Sequence, residues 1–302
     1  MTITKDNSPI QKIKSCLPSS VSGALSRLDK VTLDRISEIR LRADAITTIT
    51  IEGQNKVLSV KGLTNNTESA IKCSKCDIED FIYKFCKGSV YTHENTINEC
   101  FIVNDAIRVG LGFTGTKNNI SSVNIRLARH IPGCSRILMQ HIRENGFIDG
   151  KGILIISRPG DGKTTLLRDI AVNLSSSAEN EMKRVCVIDE RNEIYMENVF
   201  NNCCIDFLSG LDKCKGIETA ARLLSPQIII CDEISGSEEA EKLTKQKNSG
   251  IVFIASFHAD SFESAFRKSF IRKMFEEQVF SHMFLLSRNP SRITGTLCEY
   301  NG

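Results

Sequence analysis

The chain has 302 residues, of which 25% are charged and 41% are hydrophobic, and its formal net charge is +3 at pH 7. These values are typical of a soluble globular protein with one large or two ordinary domains. The weak net charge gives no support for a nucleic-acid or membrane-surface partner. The chain start shows no secretory signal and no run of about 18 apolar residues predicts a transmembrane helix. We therefore expect a cytoplasmic protein without membrane insertion or a nucleic-acid partner.

The chain contains 12 cysteines. Cys73 and Cys76 have the C-x-x-C spacing of half a zinc site, but a structural zinc site usually needs four ligands and no second pair of this spacing follows. We interpret the cysteines as reduced thiols of a cytosolic protein. Cys186 and Cys231 lie in apolar runs, where cysteine behaves as a small hydrophobic residue.

The first half of the chain has a mixed pattern that predicts an α+β domain over residues 1–146. Asp77 is expected to cap a helix, and Asn104-Asp105 is expected to form the turn of a β-hairpin. The predicted elements are helices at 10–28, 33–42 and 78–87, strands at 47–51 and 123–127, and a hairpin over 100–111.

The second half, over residues 147–302, alternates short apolar strands with helical stretches. A glycine-rich segment at 144–152 marks the start of this second domain. Such alternation is typical of an α/β fold with a parallel sheet and helices on both faces. The strands are predicted at 153–157, 184–189, 227–232 and 251–257.

The segment Ser-Arg-Pro-Gly-Asp-Gly-Lys-Thr-Thr lies between a predicted strand and a predicted helix. It differs from the phosphate-binding loop G-x-x-x-x-G-K-[ST] only at Ser157, where a small residue suffices. Gly160 and Gly162 allow the backbone to curl around a phosphate at a helix N-terminus. We expect Lys163 to reach the β- and γ-phosphates of ATP and the Thr164 hydroxyl to bind Mg²⁺. The predicted nucleotide-binding residues are Ser157, Arg158, Pro159, Gly160, Asp161, Gly162, Lys163, Thr164 and Thr165.

Two apolar runs of the second half end in an acidic pair, Asp189-Glu190 and Asp232-Glu233. Ligands of parallel sheets bind at such carboxyl ends of strands. Where a strand is inserted beside the loop strand, the metal carboxylate lies on the later strand. We therefore assign Asp232 to Mg²⁺, Glu233 to orienting the attacking water, and Glu190 to a second acidic position that faces the γ-phosphate. The exchanged assignment of these two pairs stays open.

The run at 251–257 is followed by His258. A histidine at the end of a parallel strand faces the same edge as the loop and could sense the γ-phosphate by hydrogen bonding. A lone histidine is more often structural, so its position at this edge is what favours a catalytic role.

The order of loop, two acidic strand ends and histidine resembles the ATPases of type II and type IV secretion and of pilus assembly. The chain resembles more closely the stage III sporulation protein AA family, their relatives in endospore-forming bacteria. The segments that carry this resemblance are EIRLR at 38–42, RVGLGFTG at 108–115, SSVNIRLAR at 121–129, SRPGDGKTTLLRDI at 157–170, VIDERNEI at 187–194 and SPQIIICDEI at 225–234.

The resemblance implies a RecA-like P-loop ATPase domain behind an N-terminal α+β domain. It further implies a homo-hexameric ring on the mother-cell cytoplasmic face of a membrane channel to the forespore, with the membrane proteins of that channel as partners. In such rings an arginine of the neighbouring subunit stabilises the γ-phosphate charge. Arg126, Arg129 and Arg191 are the candidates, although ordinary surface arginines or salt-bridge partners would show the same pattern.

Two other functions are compatible with these motifs. The chain could be a nucleotide-binding scaffold of the channel that does not hydrolyse ATP, since Ser157 departs from the motif. It could also be a nucleic-acid-binding ATPase, although the near-neutral charge gives no phosphate-binding stripe.

Overall fold

The computed structural model describes residues 9–88, 100–104, 107–115, 119–147, 150–177, 181–289 and 292–300. The chain divides into two compact units, the first ending at Arg129 and the second beginning at His130. The predicted boundary between 146 and 147 is therefore too late. The helix Arg136–Asn145 belongs to the second unit because its buried side chains, such as Leu138, pack into the core of that unit.

The first unit is built on a seven-stranded antiparallel sheet with the order β4-β3-β2-β1-β7-β6-β5. Its strands are β1 (Ile36–Arg42), β2 (Thr48–Ile51), β3 (Gln54–Ser59), β4 (Gly62–Thr64), β5 (Phe101–Asn104), β6 (Ile107–Phe113) and β7 (Ile120–Leu127). Its helices are α1 (Pro9–Ile13), α2 (Ser19–Leu25), α3 (Lys30–Leu33) and α4 (Lys75–Phe85). The predicted hairpin corresponds to β5 and β6, while Asp105 and Ala106 of its turn lie outside the described residues.

The predicted helix at 78–87 is present as α4, but three details of the helical predictions for this unit are wrong. Residues 36–42 form strand β1 because buried Ile39 and Leu41 alternate with charged neighbours, the period of a strand that buries one face. The predicted helix over 10–28 is divided into α1 and α2, and Pro18 precedes the second of these. Helix α4 is capped by Ser74, whose hydroxyl accepts the amide of Asp77, and Asp77 completes a capping box instead of being the cap itself.

The second unit contains a seven-stranded sheet with the order β10-β9-β11-β12-β8-β13-β14. All pairs are parallel except the final hairpin of β13 and β14. Its strands are β8 (Gly152–Ser157), β9 (Val185–Asp189), β10 (Ile205–Ser209), β11 (Ile228–Glu233), β12 (Val252–His258), β13 (Phe280–Asn289) and β14 (Arg292–Glu299). All four predicted strands are present, as β8, β9, β11 and β12. The other three were not predicted.

Helices cover both faces of this sheet. The helices are α5 (Arg136–Asn145), α6 (Lys163–Ser175), α7 (Lys213–Thr219), α8 (Ser237–Gln246), α9 (Phe262–Phe266) and α10 (Ser269–Glu276). On β8, Leu154 packs in a cluster with residues of α7, α8 and α10, whereas Ile155 packs in another with residues of α5 and α6. A strand buried on both faces reads as a continuous apolar run, which explains the sequence of β8.

The topology brings the functional candidates to one edge. Strand β12 lies between β8 and β11, and parallel strands present their carboxyl ends on the same side. Ser157, Asp189, Glu233 and His258 are the last residues of their strands. Within the described ranges, no helix combines the length and the apolar character needed to cross a membrane.

Candidate nucleotide-binding site

The loop before α6 has the backbone shape that an anion needs. Gly160 and Gly162 have φ angles of 85° and 102°, which side-chain-bearing residues rarely adopt. Gly162 is also the N-cap of α6, and because glycine has no side chain, the amides of the first helical turn have no side-chain cap. Uncapped amides and the positive end of the helix dipole attract negative charge. The loop therefore fits a phosphate group.

Lys163, His258 and Glu233 form a contact chain beside this loop. The Lys163 Nζ lies 2.5 Å from Nδ1 and 2.8 Å from Nε2 of His258. The His258 Nε2 in turn lies 3.3 Å from Oε2 of Glu233. The β8–β12 register pairs Ser157 with His258, which places the histidine next to the loop. Three predicted site residues are thus brought together.

Lys163 is buried, with 8% of its surface exposed. Burial lowers the pKa of its ammonium group to about 8, although the negative charges of Glu233, Asp232 and Glu193 act in the opposite direction. A phosphate would provide the desolvated ammonium with a direct negative partner. Lys163 is therefore poised to gain from anion binding.

Asp232 lies in the same environment and is 7% exposed. Burial raises the pKa of its carboxyl to about 6, with help from the negative charges of Glu193 and Asp189, while Lys213 and Lys163 lower it. No described residue donates a hydrogen bond to this carboxylate. A desolvated carboxylate without donors gains from a cation, and Mg²⁺ is commonly held by one or two carboxylates together with substrate phosphates. No cluster of three or more metal-ligating side chains occurs among the described residues.

Asp189, the other strand-end aspartate, is used differently. It is fully buried, and its carboxylate accepts the amides of Glu193 at 2.7 Å, Ile194 at 2.9 Å and Tyr195 at 2.9 Å. Burial raises the pKa of this carboxyl, and the three amide hydrogen bonds oppose that rise. Both oxygens hold the turn after β9, which favours Asp232 as the metal carboxylate.

Glu193 is a site residue that the sequence analysis missed. The fully buried Arg168 of α6 donates to the carbonyls of Glu193 and Ile194, the latter at 2.7 Å. Together with Asp189, it fixes the turn that carries Glu193. The Glu193 carboxylate acts electrostatically on both Lys163 and Asp232, so it lies near both groups. The only sequence signal was its place soon after an apolar strand that ends in aspartate.

Glu190 lies apart from the contact chain. It is half-buried, and its Oε2 lies 3.5 Å from the Nζ of Lys213, a residue to which the sequence analysis gave no role. Arg191 beside it is exposed.

The other predicted residues of the phosphate loop differ in their exposure. Ser157 is buried, Asp161, Thr164 and Thr165 are partly buried, and Arg158 and Pro159 are exposed. The Ser157 hydroxyl donates to the carbonyl of Arg158 at 3.0 Å.

The two remaining arginine candidates belong to the first unit and have partners there. The Arg126 Nε lies 3.8 Å from Oε1 of Glu38 on the neighbouring strand β1. The Arg129 guanidinium donates to the carbonyls of Leu33 and Ile36. Arg129 therefore stabilises the backbone of its own unit.

Comparison with known proteins assigns the chain to a family. The family described as "Sporulation stage III, protein AA" matches residues 8–301. The chain belongs to this family. The chain is similar to Stage III sporulation protein AA of Bacillus subtilis (strain 168), with 29% identity over 296 residues that cover 92% of this chain and 91% of the relative. An uncharacterised ycf45 protein of Cyanidium caldarium is 28% identical over 194 residues, which cover 61% of this chain and 47% of that protein.

This member of the family shares its fold with solved ATPases. It matches the X-ray structure of the Legionella pneumophila ATPase DotB with a TM-score of 0.60 at 13% identity, over 87% of this chain and 76% of DotB. It matches the crystal structure of the pilus retraction motor PilT with bound ADP with a TM-score of 0.60 at 13% identity, over 90% of this chain and 82% of PilT. At such low identity these matches establish an ATPase-like α/β fold.

Proposed function

We propose that this chain binds MgATP at the edge formed by the loop at 158–162 and helix α6, and hydrolyses it. The observation that carries this proposal is the contact chain of Lys163, His258 and Glu233. Lys163 also interacts electrostatically with the Asp232 carboxylate, to which no described residue donates a hydrogen bond. Such a grouping of phosphate loop, metal carboxylate and water-orienting carboxylate is what phosphoryl transfer requires.

Each residue has a role in the proposed reaction. The amides of the loop and the Lys163 ammonium bind the β- and γ-phosphates, while the Thr164 hydroxyl and Asp232 would hold Mg²⁺. The bound Mg²⁺ supplies charge neutralisation on the phosphate oxygens. Glu233 orients the attacking water and accepts its proton.

His258 connects these roles. Its ring is the direct partner of Lys163 and lies next to Glu233. A γ-phosphate would compete with the ring for the Lys163 ammonium. Binding of ATP would therefore release the His258 ring from Lys163. The ring could then form hydrogen bonds with the γ-phosphate and with Glu233. This exchange makes the position of His258 sensitive to the γ-phosphate.

The proposed biological role is that of a motor subunit of the channel between mother cell and forespore. The similarity to the Stage III sporulation protein AA of Bacillus subtilis supports the sporulation setting, and the fold shared with the pilus retraction motor PilT supports a motor function. The active form is a homo-hexamer at the cytoplasmic face of the mother-cell membrane complex, with channel proteins as partners. Arg126, Arg129 or Arg191 of a neighbouring subunit would stabilise the γ-phosphate. The exposed Arg191 best meets that need, because Arg126 and Arg129 already have partners.

Phosphate release from ATP by the purified full-length protein tests this proposal, with Lys163→Ala as the paired variant. We expect Mg²⁺-dependent release by the wild type and neither release nor ATP binding by the variant. ATP binding that depends on Lys163 without any release, even in the assembled ring, would instead support the scaffold function. ATP binding that survives in the variant would place the nucleotide elsewhere.

A further inference from the structure

Lys213 is a buried lysine next to the proposed water-orienting glutamate. It is the first residue of helix α7 and is 5% exposed. Its Nζ donates to the backbone carbonyl oxygen of Glu233, and it lies 3.4 Å from Oε1 of Glu239 and 3.5 Å from Oε2 of Glu190. One ammonium group thus joins the ends of β9 and β11 to the first turn of α8.

The place of Lys213 in its own helix is unfavourable. A cation in the first turn of a helix is repelled by the positive end of the helix dipole, and burial of an ammonium group has a large desolvation cost. Local helix stability therefore does not explain the lysine. The lysine is explained instead by its three oxygen partners, which all belong to other elements of the fold. Its contacts therefore stabilise the tertiary structure.

The contact with Glu233 falls at an irregularity of strand β11. The register between β11 and β12 shifts between Cys231 and Glu233, so that Asp232 is the extra residue of a bulge. A bulge interrupts the ladder and redirects the side chains around it. The carbonyl that follows the bulge is the one that Lys213 holds.

Glu239 holds the other end of the same segment. Its Oε2 accepts the amide of Ser235 at 2.6 Å, and its Oε1 accepts the Ser235 hydroxyl at 3.0 Å. Since Glu239 also pairs with Lys213, the backbone from Glu233 to Ser235 is fixed at both ends by one ammonium–carboxylate pair.

We propose that Lys213 is a positioning residue for hydrolysis: with Glu239 it fixes the backbone after the bulge, and so it sets where the Glu233 carboxylate meets the attacking water. This inference rests on the proposed function. It also gives Glu190 a defined part, as a third anchor of the lysine instead of a group that faces the γ-phosphate.

The test compares Lys213→Met with Lys242→Met. Lys242 of α8 bonds to Glu218 of α7, so the control lysine joins the same two helices through a more exposed pair. We expect Lys213→Met to lower kcat for ATP hydrolysis about 10- to 100-fold, the effect typical of a lost supporting group. The dissociation constant for MgATP should stay near that of the wild type. Lys213→Arg should restore part of kcat, since a guanidinium keeps several donors, and Lys242→Met should match the wild type.

Two further measurements separate positioning from folding. In a Glu233→Gln background, Lys213→Met should cause no additional loss of kcat, because both changes remove the same function. If Lys213→Met does not fold, Glu239→Gln takes its place, with the same expected loss of kcat and retained MgATP binding.

Three results would overturn the inference. The first is a kcat of Lys213→Met equal to that of Lys242→Met. The second is a loss of MgATP affinity in parallel with a fall in the thermal midpoint, which indicates a merely structural lysine. The third is a wild type whose phosphate release does not exceed that of Lys163→Ala. This last result alone refutes the proposed function as well, so the two failures are distinguishable.

Discussion

The two acidic strand ends of the second unit have the same sequence pattern and opposite surroundings. Asp189 at the end of β9 is fully buried, and its carboxylate accepts three backbone amides. Asp232 near the end of β11 is almost as buried, yet no described residue donates a hydrogen bond to it, and it feels the charges of Lys163 and Lys213. The Asp189 carboxylate therefore fixes the backbone turn after β9, whereas the Asp232 carboxylate remains available to bind a cation.

The chain that follows each strand explains the difference. After β9 it folds back over the strand end, where Arg168 and Asp189 fix the turn from both its carbonyl and its amide sides. Strand β11 instead carries its bulge at Asp232, and the chain after the strand leads into α8, so that no amide of the described residues donates to the Asp232 carboxylate. An acidic strand end is therefore available to a cation only where the next segment leaves its carboxylate without hydrogen-bond donors.

The largest expected contrast concerns the glutamates that follow the two aspartates. Glu233→Gln should lower kcat about 10²- to 10⁴-fold, the usual contribution of a general base, with MgATP still bound. Glu190→Gln should lower it less than about 10-fold, since Glu190 only anchors Lys213. Steady-state phosphate release at saturating ATP measures both. A larger loss in Glu190→Gln would restore the exchanged assignment of the two strand ends.

The second contrast concerns stability. Asp189→Ala leaves three backbone amides without their acceptor, of which the Ile194 amide is buried and the Glu193 and Tyr195 amides are partly buried. An unsatisfied buried group costs about 1–3 kcal/mol and a partly buried one less, so we expect a loss of about 2–4 kcal/mol in the free energy of unfolding. Denaturant unfolding followed by circular dichroism measures this loss. A change below about 1 kcal/mol would mean that the turn after β9 does not depend on this carboxylate.

Asp232→Asn should have the opposite effect on the nucleotide-free protein. Because the pKa of Asp232 is raised to about 6 in the folded chain, its ionised form destabilises the fold at neutral pH. Removal of the charge should stabilise the protein by up to about 3 kcal/mol at pH 7.5. Because the pKa of Asp232 is raised in the folded state, protonation of its carboxyl stabilises the fold, so the free energy of unfolding of the wild type should rise as the pH falls through about 6. Asp232→Asn has no carboxyl at this position and should lack this rise. Thermal midpoints of both proteins between about pH 4.5 and 7.5 check it, and parallel profiles would contradict it.

The smallest expected effect is a pH dependence of ATP affinity. The pKa of Lys163 is lowered to about 8, and a bound phosphate would raise it. Between about pH 7 and 8 the affinity should therefore change little, and above about pH 8 it should fall by up to about 10-fold per pH unit, because the Lys163 ammonium of the unbound protein loses its proton. Titration of the protein with a fluorescent ATP analogue at pH 7 and 9 measures this. An affinity that rises with pH would exclude a protonated lysine as the phosphate partner.

The sequence allowed much of the second unit to be predicted. Its apolar runs are buried on both faces, so continuous hydrophobicity alone locates β8, β9, β11 and β12. The local sequence also indicates the loop before α6, because Gly160 and Gly162 adopt positive φ angles that few other residues allow. The convergence of Lys163 and His258 follows from strand order.

Strand β1 was mistaken for a helix because its Leu and Arg residues are good helix formers, although its buried residues Ile39 and Leu41 alternate with charged residues in the period of a strand. Other features depend on tertiary context that no local pattern carries. Glu193 reaches the site through a turn held by Arg168, and Lys213 through a helix that is distant from Glu233 in sequence. Strand order favoured Asp232 over Asp189 as the metal carboxylate but left their exchange open, and only the structure shows that Asp189 alone accepts three backbone amides.

The most direct test of the difference between the two strand ends is the effect of Mg²⁺ on ATP binding, measured by isothermal titration calorimetry with and without the metal. We predict that Mg²⁺ tightens ATP binding to the wild type and to Glu190→Gln, and that it has little effect in Asp232→Asn. An equal Mg²⁺ effect in the wild type and Asp232→Asn would contradict the assignment of Asp232 to the metal, and with it the account of this edge as an ATPase site.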